Sequence, residues 1–228
     1  MGDGVEFIGK DAFGWCTSLE GVYITDITKW YNIGFYSYSS NPLYHAKNLY
    51  INGELITELV IPYGIEYIGD YVFCGCSITG VVIPDSVTYI GKGAFKSSDI
   101  TSVVIPDSVT YIGEGAFEGC SVTDVVIPDS VTYIAGHAFS NCDKLIKVVL
   151  PDSISSIGNY TFYSCNSLCE IVIPDSVTTI GNSAFDYCDS LFYVRYTGTE
   201  EEWSYVRVLW NNDYLKDAYL RCNYIPEE

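Results

Sequence analysis

One proline-anchored motif returns along this chain at nearly constant intervals. Prolines fall at 62, 84, 106, 128, 151 and 174, so the intervals are 22, 22, 22, 23 and 23 residues. The tract Val-Val-Ile-Pro-Asp-Ser-Val-Thr-Tyr-Ile stands in full at Val81, Val103 and Val125. A period of this length marks a coil too small to bury its own apolar face, which must stack on copies of itself. It predicts a solenoid.

The columns of that stack carry the physics. Phe13, Phe73, Phe95, Phe117, Phe139, Phe162 and Phe185 form one column, preceded by Ala12, Val72, Ala94, Ala116, Ala138, Thr161 and Ala184. A glycine column runs Gly9, Gly69, Gly91, Gly113, then Ala135, Gly158 and Gly181. Val81, Val103, Val125, Val148 and Ile171 stand two residues before Ile83, Ile105, Ile127, Leu150 and Ile173, and period-2 spacing places both columns on one face of a short strand. The proline that follows has no N–H to donate, so the ladder stops there. Asp-Ser makes the turn. A second short extended segment, Val-Thr-Tyr-Ile-Gly, leads into a helical turn at Gly-Ala-Phe-x-x-Cys.

These columns resemble the BspA-like leucine-rich repeat family, whose pattern stands here as Val103, Ile105, Pro106, Val109, Ile112, Gly113, Ala116, Phe117, Cys120 and Val122. The match recurs in seven coils. It implies one right-handed leucine-rich-repeat solenoid over residues 1–228. It also implies an extracellular or cell-surface bacterial protein with an adhesion or protein-binding role, host matrix proteins among the partners. The family supplies no binding residue to carry over.

Two segments depart from the pattern. In 26–55, Asp26 can cap a short helix carrying Trp30, Ser37 to Pro42 is polar, and Asn52-Gly53 supplies the two positive-φ residues of a hairpin. This predicts an insertion within the solenoid. In 197–228, Thr199 and Glu202 form a capping box, Trp203, Val206 and Trp210 suit one helical face, and Tyr219 to Ile225 suits a last strand. This predicts a C-terminal cap. The opening Met1-Gly2-Asp3-Gly4 has no basic or apolar run of a signal peptide, and the repeat starts mid-coil at Val5, as in a trimmed fragment or the early part of a larger protein.

Composition excludes several functions. Acids outnumber bases 29 to 11, a formal charge of −18, which argues against nucleic acid and anionic lipid as partners. No apolar run is long enough to insert in a membrane. There are two histidines, His45 and His137. His137 varies from coil to coil, as a surface position does, and His45 has no Cys or Asp at a diagnostic offset. No catalytic triad, nucleophile elbow, phosphate loop or paired metal ligands stand in the sequence, so no catalytic residue, metal or cofactor is assigned.

Cys16, Cys76, Cys120, Cys142, Cys165 and Cys188 share a column, with Ser98 in the remaining coil. Parallel Cβ vectors about 4.8 Å apart suit buried thiols bonded to backbone better than disulfides. Cys74, Cys169 and Cys222 lie outside the column, and a pair among those three stays open. The row Asp85, Asp107, Asp129, Asp152 and Asp175 could attract Ca²⁺, but turn-capping with the charges splayed into water is the simpler reading. Tyr67, Tyr89, Tyr111 and Tyr133 form a ladder that packs on itself or, alternatively, stacks a glycan.

The strand face offers the functional lead. Val60, Val82, Val104, Val126, Val149 and Val172 point away from the core columns, beside a variable outward column containing Ser102, Asp124, Lys147, Glu170 and Tyr193. An apolar row on a face that normally turns polar suits a docking surface, although valine's β-propensity alone would also place it there. The reading is a non-enzymatic module that binds a protein through this face. A glycan-binding module using the tyrosine ladder and a purely structural spacer of a larger surface protein are the alternatives.

Overall fold

The computed structural model describes residues 4–226 of the chain. The leader reading rests largely on Met1–Asp3, which lie outside the described residues, as do the last two residues of the 197–228 segment. Each regular coil contributes a three- or four-residue strand, a turn, a two-residue strand and a second turn. Ser102–Val104 pairs in parallel with Gly80–Val82, which pairs with Glu58–Val60. Asp124–Val126, Lys147–Val149, Glu170–Ile173 and Tyr193–Tyr196 continue the row. The short strands form their own row, Tyr67–Ile68 beside Tyr89–Ile90, Tyr111–Ile112 and Tyr133–Ile134. The glycine column lets these rows approach: a Cβ on Gly113 would lie 2.6 Å from the Gly91 carbonyl carbon.

Both departures from the repeat are themselves turns of the solenoid. In 26–55, Gly34–Phe35 pairs with Phe7–Ile8, and Leu49–Ile51 pairs with Val22–Ile24. Asp26 caps the helix Ile27–Tyr31, its carboxylate accepting from the Thr28 N–H at 2.9 Å. Asn52 and Gly53 both take positive φ, and Glu54–Leu55 folds back antiparallel on Tyr50 and Ile51. The Ser37–Pro42 stretch is less polar in its surroundings than in its composition. It holds a 3-10 turn at Tyr38–Ser40, and Ser40, Asn41 and Pro42 are buried.

At the other end, Arg207–Val208 pairs with Thr179–Ile180, and Tyr219–Arg221 with Tyr193–Arg195. The Thr199–Glu202 capping box forms. The helix it opens stops at Tyr205, however, so Trp203, Val206 and Trp210 do not share a helical face. Val206 turns extended because Arg207 must join the sheet, and Trp210 is left exposed. The last strand is Tyr219–Arg221 and ends before Ile225.

The core is a continuous ladder. Phe73, Phe95, Phe117, Phe139, Phe162 and Phe185 are fully buried and stack face to face with centroids 5.4–5.7 Å apart. Beneath each ring the backbone is also laddered: the Phe95 N–H donates to Ala116 O at 2.9 Å and the Phe117 N–H to Ala138 O at 2.8 Å. Phe13 is only half-buried, as is Cys16 in the same coil. The later column thiols donate to the phenylalanine carbonyl of the preceding coil: Cys120 to Phe95, Cys142 to Phe117, Cys165 to Phe139 and Cys188 to Phe162, at 3.1–3.2 Å. All nine cysteines are free.

Two buried asparagines, which the sequence offers only as members of a polar loop (37–42) and of a turn (211–213), close this ladder. The Phe185 N–H has no alanine carbonyl ahead of it and donates to Asn212 Oδ1 at 3.0 Å, while Asn212 Nδ2 donates to Gly181 O and Leu209 O. At the other end Asn41 Nδ2 donates to the Tyr71 and Val72 carbonyls, joined at Val72 O by Trp30 Nε1 at 2.9 Å. Leu43 and Leu215, a few residues beyond these asparagines, are buried as well. A side-chain amide suits both ends because it donates and accepts, and an unpaired buried backbone group costs about 1–3 kcal/mol.

Three outcomes follow from this core. Phe117→Ala removes a ring stacked on both sides and is expected to cost about 3–5 kcal/mol, visible as a lowered Tm with faster amide exchange in the adjoining coils; an unchanged melt would remove Phe117 from the core. Asn212→Ala strands the Phe185 N–H and is expected to cost about 2 kcal/mol, with exchange accelerated at Phe185 and unchanged at Phe95. Burial pushes the Cys120 thiol up from 9.0 to about 12. The unfolded thiol therefore ionises first, so stability should be flat below pH 9.0 and fall as the pH climbs toward about 12. In the native state the column thiols should resist alkylation, and non-reducing mass analysis should find no bridge between Cys120 and Cys142 or between Cys142 and Cys165.

Candidate functional site

The long strands present two faces, and the period-2 reading assigns them correctly through the middle of the solenoid. Val81, Val103 and Val125 are buried, and between them and the following isoleucines the outward valines stand free: Val60 is 65% exposed, Val82 58%, Val104 81% and Val126 67%. In-register pairing aligns Val60, Val82 and Val104 across three neighbouring strands, so the row is contiguous. Beside it Ser102 and Asp124 are exposed. Gly80 is buried under the Glu58 side chain, which accepts from Thr79 Oγ1 at 3.1 Å.

The row does not continue to its sequence-predicted end. Val149 is half-buried and Val172 is only 2% exposed, so Val172 is no surface residue. The cause lies in the chain's own last residues. Beyond Arg221 the backbone reverses at Asn223, whose φ is positive, and the Asn223 and Tyr224 N–H groups donate to Gly198 O and Tyr196 O. The tail then crosses the sheet, and Pro226 lines a cleft together with Val126 and Val149. Arg195, the register partner of Val172, lies between the rings of Tyr193 at 5.1 Å and Tyr224 at 4.8 Å.

The charged members of the variable column are engaged in the same place. Glu170 accepts from Lys147 Nζ at 3.1 Å and from Arg195 Nη2 at 2.9 Å. Burial alone would raise the Glu170 pKa, but the hydrogen bonds from Arg195 and Lys147 outweigh it and hold the carboxyl below its ordinary value. Tyr193 remains exposed and meets Tyr219 edge-on. Of the predicted residues, Val82, Val104, Val126, Ser102 and Asp124 thus form an open surface. Lys147, Val149, Glu170 and Val172 form a patch that the tail and Arg195 overlie. Sequence could not foresee this, because nothing in Tyr224-Ile225-Pro226 marks it as a segment that turns back.

The tyrosine ladder forms as a stack. Tyr89 and Tyr111 lie 4.3 Å apart at 6°, Tyr111 and Tyr133 5.2 Å apart at 15°, and Tyr67 tilts on Tyr89 at 4.9 Å. The inner rings therefore spend both faces on each other, and only a terminal ring keeps a face for anything else. Burial and the hydrogen bond with Tyr111 push the Tyr89 hydroxyl up to about 12. The column continues as Ser156 and Thr179 at one end and Gly34 at the other, where register places Gly34 beside Phe7.

The remaining candidates resolve into structure. The Asp column is exposed throughout, and Asp129 Oδ1 accepts the Asp152 N–H at 2.9 Å, a turn bond between coils. Among the described residues no cluster of histidine, cysteine and acid groups has the makings of a metal site. His137 sits at positive φ, a position taken by Tyr71, Gly93, Gly115, Tyr160 and Ser183 in other coils, and stacks on Tyr160 at 4.7 Å. His45 meets Tyr44 edge-on. Cys74 is fully buried, while Cys169 and Cys222 are partly exposed. No helix among the described residues is long and apolar enough to cross a membrane.

Comparison with known proteins agrees with this architecture. Among solved structures, a leucine-rich repeat protein of T. pallidum aligns at 29% identity with a TM-score of 0.54, covering 59% of this chain and 64% of that one. A leucine-rich repeat protein from Bacteroides ovatus aligns at 24% identity with a TM-score of 0.48, covering 73% of this chain and 62% of that one. A leucine-rich cell surface protein from Faecalibacterium prausnitzii aligns at 23% identity with a TM-score of 0.33, over 89% of this chain and 72% of that one. The chain thus spans less than two thirds of the length of the first two. A search of curated proteins found no significant match. The model of the BspA type leucine rich repeat region matches in six copies over residues 1–100, 44–118 and 88–205, and the chain belongs to that family.

Proposed function

We propose that this chain is a non-enzymatic protein-binding module of an exported or surface bacterial protein, and that it docks through the open part of its long-strand face. One observation carries the reading: Val60, Val82 and Val104 form a contiguous row across three paired strands, Val126 stands on the next coil's strand, and each of the four is more than half exposed. A solvated sheet face ordinarily alternates to polar side chains. The tail supplies a second argument from within the molecule. Where Arg195 and the chain's last residues overlie the same column, Val172 is dry, so this face is shaped to bury apolar side chains against an extended segment. The partner is a protein; host matrix proteins are the class suggested by the family, which is also the ground for surface placement. Asp124 and the net charge of −18 favour a partner surface that is neutral or basic.

The test is a double substitution that keeps shape and adds polarity. Val104→Thr/Val126→Thr preserves the β-branch. On an exposed face it should cost within about 0.5 kcal/mol of stability. A hydroxyl buried without a partner in an interface should cost about 1–3 kcal/mol per site. Melting should therefore stay nearly unchanged while affinity for proteins recovered from a matrix and serum pull-down falls at least tenfold. Unchanged affinity returns the valine row to β-propensity alone.

A further inference from the structure

The tyrosine ladder ends abruptly, and its end is hollow. Tyr133 stacks on Tyr111 with one ring face, while the next two coils carry Ser156 and Thr179 at the ring position. The space those two missing rings would fill is a cleft of about 580 Å³ that runs from Tyr133 to Leu209. Tyr133 is 51% exposed beside it. The opposite end of the ladder shows what happens when a gap is filled from within: Gly34 stands at the ring position there, the Phe7 ring leans to 3.0 Å from where its Cβ would be, and the cleft beside Tyr67 holds about 260 Å³. Among the described residues no ring stacks on the other face of Tyr133.

The walls of the larger cleft identify what it would hold. Its floor is one flat aromatic face, and the stacked pair His137 and Tyr160 forms one side. Hydroxyls of Ser156 and Thr179 and the amide of Asn159 line it, and the Asn159 Oδ1 already accepts the Asn182 N–H, which leaves the amide NH₂ as donor. No lysine or arginine lines the cleft and one acid, Glu114, does, so phosphate and carboxylate ligands have no countercharge there. An aromatic face carries negative quadrupolar charge that attracts the polarised C–H groups on one face of a pyranose, and short hydroxyl and amide groups suit its equatorial hydroxyls. We propose that the open face of Tyr133, with Ser156, Asn159 and Thr179, is a binding subsite for a neutral saccharide ring. The site is separate from the valine row and stands or falls without it.

The experiment titrates the full chain with neutral oligosaccharides of glucose, galactose, mannose and N-acetylglucosamine, free and attached to a carrier protein, using saturation-transfer NMR and calorimetry. At least one free oligosaccharide should bind, with saturation passing from tyrosine ring protons to the sugar C–H groups. Ser156→Tyr extends the ladder into the cleft by one ring; it should leave Tm unchanged or raised and weaken binding at least tenfold. Tyr133→Leu keeps bulk, removes the flat face and should weaken binding similarly, which keeps the proposal testable if the first variant folds poorly. Binding that survives both substitutions overturns the site. So does failure of every free sugar at millimolar concentration, or binding only to carrier-linked glycans that free sugar does not displace, since the carrier would then be what is recognised. A phosphorylated sugar that binds better than its neutral parent overturns the ligand class.

Discussion

No coil of this solenoid is complete without the next. The Phe95 N–H needs the Ala116 carbonyl, the Cys120 thiol needs the Phe95 carbonyl, and each phenylalanine ring needs a ring above and below. The dependence runs in both directions along the axis, with the phenylalanine N–H groups donating to the following coil and the thiols to the preceding one. It explains why the pattern tolerates so little drift. A residue added in the strand would move every inward valine to the solvent face, so the extra residue that lengthens the period from 22 to 23 after Pro128 falls in the turn between Asn141 and Lys147, where it costs nothing in register.

A stack built on neighbours has two ends at which the neighbour is different, and this chain meets the problem with side chains in place of backbone. Asn41 and Asn212 are each buried and each bonded to the flanking coil's main chain. The segments 26–55 and 197–226 complete full turns although their sequences have left the repeat. What was legible in the sequence is what repeats: the inward columns, the proline stop, the ring ladder and the thiol column all lie where spacing put them. What was illegible has one instance each. Asn41 and Asn212 read as turn residues, because an asparagine in a turn and an asparagine replacing a coil's backbone have the same local sequence. The helix opened by Thr199 was readable at its cap and not at its end, since Val206 leaves the helix so that the Arg207 N–H can donate to Thr178 O, a partner that no local pattern encodes.

The surface followed the same division. Period 2 identified the exposed valines in the middle coils because nothing but the strand decides their direction. It failed at Val172 because burial there depends on Arg195 and a tail that returns from fifty residues downstream. The variable column behaved likewise: Ser102 and Asp124 stayed open, while Lys147 and Glu170 were drawn into an ion-pair cluster by a guanidinium that the repeat does not contain. A column read from sequence reports orientation. Occupancy of the face it points to is decided by whatever else reaches that face.

That distinction bears on how a repeat protein of this kind acquires function. The repeat fixes the scaffold so firmly that substitutions at outward positions leave the coil geometry alone, as Gly93, Gly115, His137, Tyr160 and Ser183 demonstrate by sharing one positive-φ site. Specific surfaces then arise where a column is interrupted. Replacing a tyrosine by Ser156 opens a cleft against a flat ring; replacing the outward valine of the next coil by Arg195 recruits the tail and closes the sheet face. Each change interrupts an otherwise regular ladder, and the regular ladder is what gives it sharp edges. In a fold with no repeating reference, a serine on a surface strand is unremarkable; here it stands where a ring belongs, and the neighbouring ring keeps the face that would have been covered.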